Sequence, residues 1–590
     1  MDTFKRIVHN CDALESIFKY LDLNEQLKIS QICKEFEFPI IQLIWRLKCR
    51  NIKITQIFPE TMMVKCNNND KECTMDSERI KMFLTLCRSY VQNLELTFVE
   101  FTIEHITFDF KNLTTISFYK CQVNNEILKQ LARNCLKLSI FHMECCKNYE
   151  QKPLIMGRDL QVNIFKEMPE LSELSVINFY NIDMDYQILQ EFYRITKLKK
   201  LYIKAPLYVD TSGPKCLEKI ACKAKSLENL RIERFCDQKL WLQFSLKCLV
   251  NFKNLTKLTL KMDPFADITV NDIFFLTLAN NCQILEQLTL EQCKLIITKF
   301  TPIENLSSLT LSWCRGLNGC NLREIFSVYK LQSLKLTNNV CQKNIYDYNY
   351  SAEKLKDLTV GTTLQPDITS ALTNPSNRFE NISKLIWFQS GPSSLGNPII
   401  LENISYIYPN VQTLLIVDYY IKIEDLNRLK YLNFLKIHLN TIMSWTYLKQ
   451  LLQLPYLIKL IIGLSLGIST DIGSGVDEVT SCRELNKNLE YLKIPLILFS
   501  ANIEFWLLLL KINIKLKLLV YSECRDKLIK ILFFEELLSS KGLPDRINIC
   551  DFNVDCKRLK SGYIDTLSKY DFKQNEEGEY FIILQNPKSK

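Results

Sequence analysis

Glycine and proline are both scarce in this 590-residue chain, at 14 and 17 copies. That excludes collagen-like sequence and long flexible linkers. Histidine is scarcer still, with only His9, His105, His142 and His438. No apolar run is long enough to span a bilayer. Residues 505–510 and 457–466 come nearest, but Lys511 closes the first and Lys459 interrupts the second, well short of about 18 apolar residues. There is no run of five or six like charges, and a net charge of +9 is thin over this length. Neither nucleic acid nor a membrane is therefore an expected partner. The opening residues, MDTFKRIVHNCD, hold no apolar stretch of signal-peptide length. A cytoplasmic and/or nuclear location is expected.

Catalytic and cofactor signatures are missing as well. There is no G-x-x-x-x-G-K-[S/T], no H-E-x-x-H and no dinucleotide-binding glycine motif. Gly463-Leu464-Ser465-Leu466-Gly467 matches G-x-S-x-G, but a nucleophile elbow needs a histidine further along the chain, and none follows Ser465. Asp183-Met184-Asp185 lacks the rest of a calcium loop. The 23 cysteines include no C-x-x-C pair, and an odd count points to reduced, buried thiols rather than a disulfide framework. The expectation is a non-enzyme with no cofactor and no metal.

What is present is ordinary folding material, 47% hydrophobic and 24% charged. Its length suits roughly four domains or one long array of repeats. An L-x-x-L-x-L pattern, with other apolar residues substituting, decides for the array. Its first places are Val91, Leu113, Leu138, Leu171, Leu198, Leu227, Leu255, Leu285, Leu306, Leu331, Leu355, Ile382, Val411, Leu432, Leu457, Leu489 and Leu516. Leu113 to Leu516 spans 403 residues in 15 steps, a mean of about 27, inside the period of leucine-rich repeats. L-x-L puts two apolar side chains on one face of a short strand. That face cannot be buried alone, so a helical return must bring the next strand parallel beside it. Residues 126–134 and 272–281 have helical apolar spacing and read as such returns.

Eight residues after the first leucine, a small or polar residue recurs: Cys121, Cys146, Cys293, Cys314, Asn339 and Cys524. This place should face inward as the strand ends, where a thiol or amide meets turn backbone. Of the glycosylation-type sequons at Asn112, Asn254, Asn305, Asn381 and Asn403, the first four each stand one residue before a first place, so the pattern accounts for them. Residues 370–377, 390–398 and 463–479 read as loops. The array resembles the cysteine-containing class of leucine-rich repeats. The expected fold is α/β, a horseshoe solenoid with parallel strands inside and helices outside. About 17 repeats would occupy 91–541, after a connecting segment and N-terminal cap at 51–90. Residues 542–590 read as a C-terminal cap, with strands at 546–551 and 579–584 flanking a short helix.

Residues 7–50 do not fit the repeat. Leu14, Ile17, Phe18 and Leu21 form one apolar helix stripe, with Asp12 as N-cap and Glu15 three residues on. A second helix would carry Leu27, Ile29, Ile32 and Cys33, and a third segment after Pro39 ends at Trp45. The stretch from Ala13 to Phe36, with Ile17-Phe18-Lys19-Tyr20-Leu21, Ile32-Cys33-Lys34 and the later Trp45, resembles an F-box. It departs from that family at its start, where Asn10-Cys11 replace the usual Leu-Pro. An F-box-like all-α module ahead of leucine-rich repeats resembles the substrate receptor of an SCF (Skp–cullin–F-box) ubiquitin ligase. The resemblance implies that Leu14, Ile17, Phe18, Leu21, Leu23, Leu27, Ile32 and Trp45 divide between module core and adaptor interface. It also implies a Skp-family adaptor, and through it cullin, as partners. The alternative is a non-ligase scaffold in which 7–50 is only a cap.

The strands should line a concave wall. The third, fifth and seventh places of each unit point into it. Between 198 and 262 these include Lys200, Lys204, Arg231, Lys257 and Lys261, with Glu233 the single acid. From 382 onward they turn apolar, with Phe388 and Phe434 the largest. Together these residues are the expected target-binding surface, basic in one zone and apolar in the other.

Overall fold

A computed structural model describes residues 16, 18, 20–32, 40–58, 61–67, 72–99, 108–146, 162–177, 195–207, 225–235, 238–328, 330–341, 350–362, 367–389, 399–439, 445–464, 485–495, 498, 505–506, 509, 513, 516–521, 548–550, 571–574 and 580–583. The chain is α/β, built on mostly parallel strands. It divides into two compact units, Met1–Leu306 and Ser307–Lys590.

The first unit carries β1 (Asn51–Phe58), β2 (Thr61–Cys66), β3 (Cys73–Asp76), β4 (Asn93–Thr97), β5 (Thr115–Tyr119), β6 (Ile140–Glu144), β7 (Glu173–Ile177), β8 (Lys200–Leu207), β9 (Asn229–Phe235), β10 (Lys257–Met262), β11 (Thr269–Asn271), β12 (Gln287–Glu291) and β13 (Lys294–Ile296). From β4 to β10 each strand pairs in parallel with the next, and β10 pairs with β12. The rungs are in register. Leu94, Ile116, Phe141, Leu174, Leu201, Leu230, Leu258 and Leu288 form one buried row. Burying each such side chain contributes about 1.5–3 kcal/mol, and no rung can do so without its neighbour. Helical returns include Asn125–Asn134, capped by the Asn124 side chain, and Asp272–Asn281.

The second unit carries β14 (Ser308–Ser312), β15 (Arg315–Leu317), β16 (Ser333–Thr337), β17 (Val340–Cys341), β18 (Asp357–Thr362), β19 (Lys384–Gln389), β20 (Ile399–Leu401), β21 (Thr413–Val417), β22 (Tyr419–Ile421), β23 (Phe434–Leu439), β24 (Lys459–Leu464), β25 (Tyr491–Pro495), β26 (Lys517–Tyr521), β27 (Asn548–Cys550), β28 (Asp571–Gln574) and β29 (Tyr580–Ile583). Here β14, β16, β18, β19, β21, β23, β24, β25 and β26 pair in parallel, each with the next. Leu309, Leu334, Leu358, Leu385, Leu414, Leu435, Leu460 and Leu492 are its buried row. After it, β27 and β28 both pair antiparallel with β29. β27 and β29 fall within the strands expected at 546–551 and 579–584, and β28 is a further strand between them. The short helix expected there lies outside the described residues.

A strand begins two residues after each first place from Val91 to Leu489, and one residue after Leu516. The strand exits share a second device. Phe98, Lys120, Cys145, Trp313, Asn338 and Asp418 all have φ between 51° and 63°. In each, the backbone N–H donates to the last carbonyl of the next rung or, for Asn338 and Asp418, to the one before it, at 2.7–2.8 Å. A left-handed residue costs about 1–2 kcal/mol, and this hydrogen bond offsets it. The residue that follows then points inward. Cys121 donates its thiol to Leu96 O at 3.2 Å, and Cys146 to Phe118 O at 3.5 Å. Asn339 donates to Leu311 O at 2.9 Å and accepts from the Cys314 N–H at 2.8 Å. The sequon asparagines do similar work one turn away. Asn112, Asn254, Asn305 and Asn381 donate their amides to carbonyls of the preceding repeat at 2.6–2.7 Å. Asn403 differs: it precedes the helix Ile404–Ile407 at φ 60°, with no side-chain cap bond.

The N-terminal edge departs from simple repetition. β1 pairs in parallel with β4, making a rung ahead of the first place at Val91. On its other side β1 pairs antiparallel with β2, and β2 with β3. The Ile52 and Ile54 alternation carries this rung. The helix Leu23–Ile32 and the helical turns Ile40–Trp45 and Arg46–Lys48 precede it.

Candidate functional site: the N-terminal helices and the open sheet face

Trp45 organises the N-terminal helices. Its indole is fully buried and meets the Phe83 ring edge-on at 5.1 Å, on the helix Ser77–Cys87. Its Nε1 donates to Gln26 Oε1 at 2.8 Å. Gln26 in turn donates Nε2 to Phe18 O and Leu21 O. A buried amide with its donors and acceptor all used holds the helix start at one angle. Asn24 adds an amide bond to Thr74 O at 2.8 Å, on β3. Phe18 and Leu27 are buried as well. Of the eight residues assigned to module core or adaptor, Phe18, Leu27 and Trp45 are thus interior. Leu21 and Leu23 are half-buried, beside a Tyr20 that is 90% exposed. Ile32 ends the helix Leu23–Ile32. Leu14 and Ile17 lie outside the described residues, as do the expected caps Asp12 and Glu15.

The open face of the first unit carries the basic residues. Strand register puts Lys200, Asn229 and Lys257 in one row, Tyr202, Arg231 and Thr259 in the next, and Lys204, Glu233 and Lys261 in a third. The cations do gather on three neighbouring strands. They do not form an unpaired positive patch, because carboxylates sit among and beside them. Lys200 pairs with Glu173 at 2.5 Å and Lys261 with Glu291 at 3.5 Å, both acids lying on flanking strands. Lys204 and Arg231 share Glu233, at 3.7 and 2.5 Å. Lys257 is exposed and has no ion-pair partner among the described residues.

Glu233 is the hub that the sequence showed only as a lone acid. It is 2% exposed. Its Oε1 accepts from Tyr202 Oη at 2.8 Å and from Arg231 Nε and Nη2 at 2.8 and 2.5 Å. The Arg231 guanidinium lies over the Tyr202 ring at 4.4 Å. Burial pushes the Glu233 carboxyl up, but the hydrogen bonds from Tyr202 and Arg231, with the charges of Arg231 and Lys204, bring it below its ordinary range. Burial and the Glu233 charge push the Tyr202 phenol up. Arg231 and Tyr202 are thereby locked in one geometry on the open face.

On the same face His142 lies 3.4 Å from Glu144 and its ring 5.0 Å from that of Tyr119. Burial holds this imidazole below its ordinary range, against the pull of Glu144. His438 is in the second unit. His9 and His105 lie outside the described residues, as do Ser465, Gly467, Asp183 and Asp185. Among the described residues no group of three or more His, Cys, Asp or Glu could hold a metal ion. No helix among them is long and apolar enough to cross a membrane.

The open face of the second unit is apolar over β19 to β24. Ile386, Phe388, Leu415, Val417, Phe434 and Ile461 are all half-buried there. Phe388 lies across Gly361 on β18, where a Cβ would come within 2.4 Å of its ring. His438 lies likewise across Gly463, at 2.2 Å from such a Cβ. β21 lies between the strands of Phe388 and Phe434, and Phe434 shares its row with Thr413 and Lys384, four residue positions before the row of Phe388. Lys459 lies between two rings, 4.9 Å from Phe434 and 4.6 Å from Tyr491. Sequence patterning located the apolar zone. The two glycines, each opposite a large side chain on the neighbouring strand, were the unread signal.

Among the described residues the arrangement is an open face of paired charges in the first unit, a largely apolar open face in the second, and a packed helical edge. No protein-family model matches this chain, and a search of curated proteins finds no match.

Proposed function

We propose that this chain is the substrate-recognition subunit of an SCF ubiquitin ligase, acting in the cytoplasm and/or nucleus. In this reading residues 7–50 are an F-box-like module that docks a Skp-family adaptor and, through it, cullin. The stacked units are leucine-rich repeats of the cysteine-containing class, and their open faces hold a target protein. The chain makes and breaks no bonds. It raises the effective concentration of a target lysine near the ubiquitin thioester.

The observation that carries this reading is the order of parts: an apolar helix stripe with Ile32-Cys33-Lys34 and Trp45, then a connecting segment, then L-x-x-L-x-L strands in parallel register. Half-buried Leu21 and Leu23, with exposed Tyr20, leave apolar surface for an adaptor. Phe18, Leu27 and Trp45 belong to the core that supports it. On the target side, Arg231 on Tyr202 supplies a rigid anchor of the residue types that dominate interfaces. The apolar face around Phe388 would slow dissociation.

A second reading has its own observation. Trp45 packs on Phe83 and Asn24 bonds to β3, so the helices are continuous with the edge of the sheet. A plain solenoid cap would do the same, and the chain would then be a non-ligase scaffold. Co-purification with a Skp-family adaptor separates the two. The ligase reading expects capture by the intact chain, and its loss on Leu21→Asp with Leu23→Asp while the β4–β12 ladder stays folded. Absence of capture by the intact chain, or capture undiminished in the variant, refutes it.

A further inference from the structure

Four thiols gather where the N-terminal helices meet the antiparallel strands. Cys49 closes the helical turn Arg46–Lys48, and its N–H donates to Trp45 O at 2.8 Å. Cys66 ends β2, Cys73 begins β3 and Cys87 ends the helix Ser77–Cys87. All four are buried and unbridged. The Cys49 and Cys66 sulfurs are 3.7 Å apart, which is van der Waals contact with nothing between them.

We propose that Cys49 and Cys66 are a redox pair, which a hydroperoxide oxidises to a disulfide that fastens the N-terminal helices to the antiparallel edge of the sheet. The sulfurs must close from 3.7 Å to about 2.05 Å. Both residues are placed to allow this. Cys49 lies between a helical turn and β1, and Cys66 occupies the last paired position of β2, opposite Ile52. Neither move breaks the middle of a ladder. Just beyond them, Asn67 N–H donates to Asn51 O at 2.9 Å and Asn51 Nδ2 to Asn67 Oδ1 at 3.1 Å. These bonds hold the two chain segments together before any sulfur chemistry.

The electron count closes with hydrogen peroxide as oxidant. Cys66, at 5% exposure against 0% for Cys49, meets the peroxide first. Its sulfur takes one peroxide oxygen as the O–O bond breaks, giving a sulfenic acid. The departing oxygen leaves as water with the thiol proton. The Cys49 sulfur then attacks the Cys66 sulfur. The S–S bond forms, the S–O bond breaks, and the hydroxyl leaves as a second water with the Cys49 proton. Two thiols have lost two electrons and two protons, and one peroxide has become two waters.

The link has a structural consequence. It closes a loop of 17 residues in sequence separation, and Cys49 lies one helical turn after Trp45, whose indole holds Gln26. Local opening of the helix Leu23–Ile32 would then have to break the Trp45–Gln26 bond while Trp45 is held by a segment tied covalently to β2. Reduction restores that freedom.

The test uses the full chain, treated with hydrogen peroxide under native conditions, acid-quenched, alkylated and digested without reductant. The expected result is a Cys49–Cys66 linked peptide, lighter by two hydrogens than its parts and lost on reduction. In the same oxidised sample, amide exchange of residues 23–32 should slow about tenfold or more, and recover when reductant is added. Cys49→Ala should abolish both effects. Should that variant fail to fold, the wild-type chain before and after reduction gives the comparison alone. Linkage of Cys66 to Cys73 or Cys87 instead would overturn the pairing. So would recovery of Cys49 and Cys66 as free thiols after treatment that oxidises exposed Cys320. Unchanged exchange in the linked chain would overturn the fastening.

Discussion

Replacing Glu233 by Gln tests whether the open face of the first unit is held by one buried charge. The side chain is 2% exposed and takes three hydrogen bonds, one from Tyr202 and two from Arg231. Hydrogen bonds to a charged group contribute about 1.5–3 kcal/mol net each. Breaking a fully buried ion pair costs about 3–5 kcal/mol. Both figures must come down here, because the Arg231 side chain is 49% exposed and water screens its pairing. Glutamine also keeps one oxygen as a neutral acceptor. The expected loss is about 2 kcal/mol, which is about thirtyfold in an opening equilibrium. With a urea slope of a few kcal/mol per molar, the midpoint of the first unit falls by about half a molar. Amide exchange in β8 and β9 should accelerate by a similar thirtyfold. Arg231→Met combined with Glu233→Gln should cost less than the sum of the two, because the second change removes a charge already left without its partner. Lys257→Gln serves as control and should leave the midpoint in place. A Glu233→Gln midpoint indistinguishable from wild type, or full additivity with Arg231→Met, would refute the hub.

Trp45→Phe keeps the ring against Phe83 but leaves Gln26 Oε1 buried without its donor. It should cost about 1–3 kcal/mol, read as faster amide exchange over 23–32 with the β14–β26 ladder unaffected. Gly361→Ala drives a Cβ into the Phe388 ring, and the ring must swing outward. Thermal unfolding should show about 1 kcal/mol of destabilisation, absent when Phe388→Ala is already present; equal costs in both backgrounds would count against the close approach. His142 and Glu233 predict two separate acid windows. Because burial depresses the His142 value, the unfolded chain takes up this proton first, and stability should begin to fall as pH drops below about 6.5. Glu233 is also depressed, so its contribution is intact above the ordinary carboxyl range near 4.3 and is lost only as pH falls further. His142→Gln should flatten the first slope of a stability–pH curve and Glu233→Gln the second, and exchange of these two effects would contradict the assignment.

The rungs are legible in the order of residues alone. A strand start after every apolar first place follows from side-chain period alone, because L-x-L can face only one way and must be covered by the next copy. The inward thiols and amides at Cys121, Cys146 and Asn339 were legible for the same reason: they recur at one phase. Tertiary structure decided what recurrence does not encode. The parallel rung at β1 escaped the pattern because Ile52 and Ile54 lack the leading leucines, and only pairing with β4 reveals it. The resemblance left Phe18, Leu27 and Trp45 divided between module core and adaptor interface; their side chains are buried, with Trp45 against Phe83, and a stripe cannot say which partner covers it. The charge of the open face was the hardest to read. Lys200 and Lys261 find Glu173 and Glu291 on flanking strands about 4.8 Å away across the sheet but some 27–30 residues away in the chain. Electrostatics sums over space, so one buried carboxylate at Glu233, shared by Tyr202, Arg231 and Lys204, sets the character of a surface that a count along the chain makes simply basic.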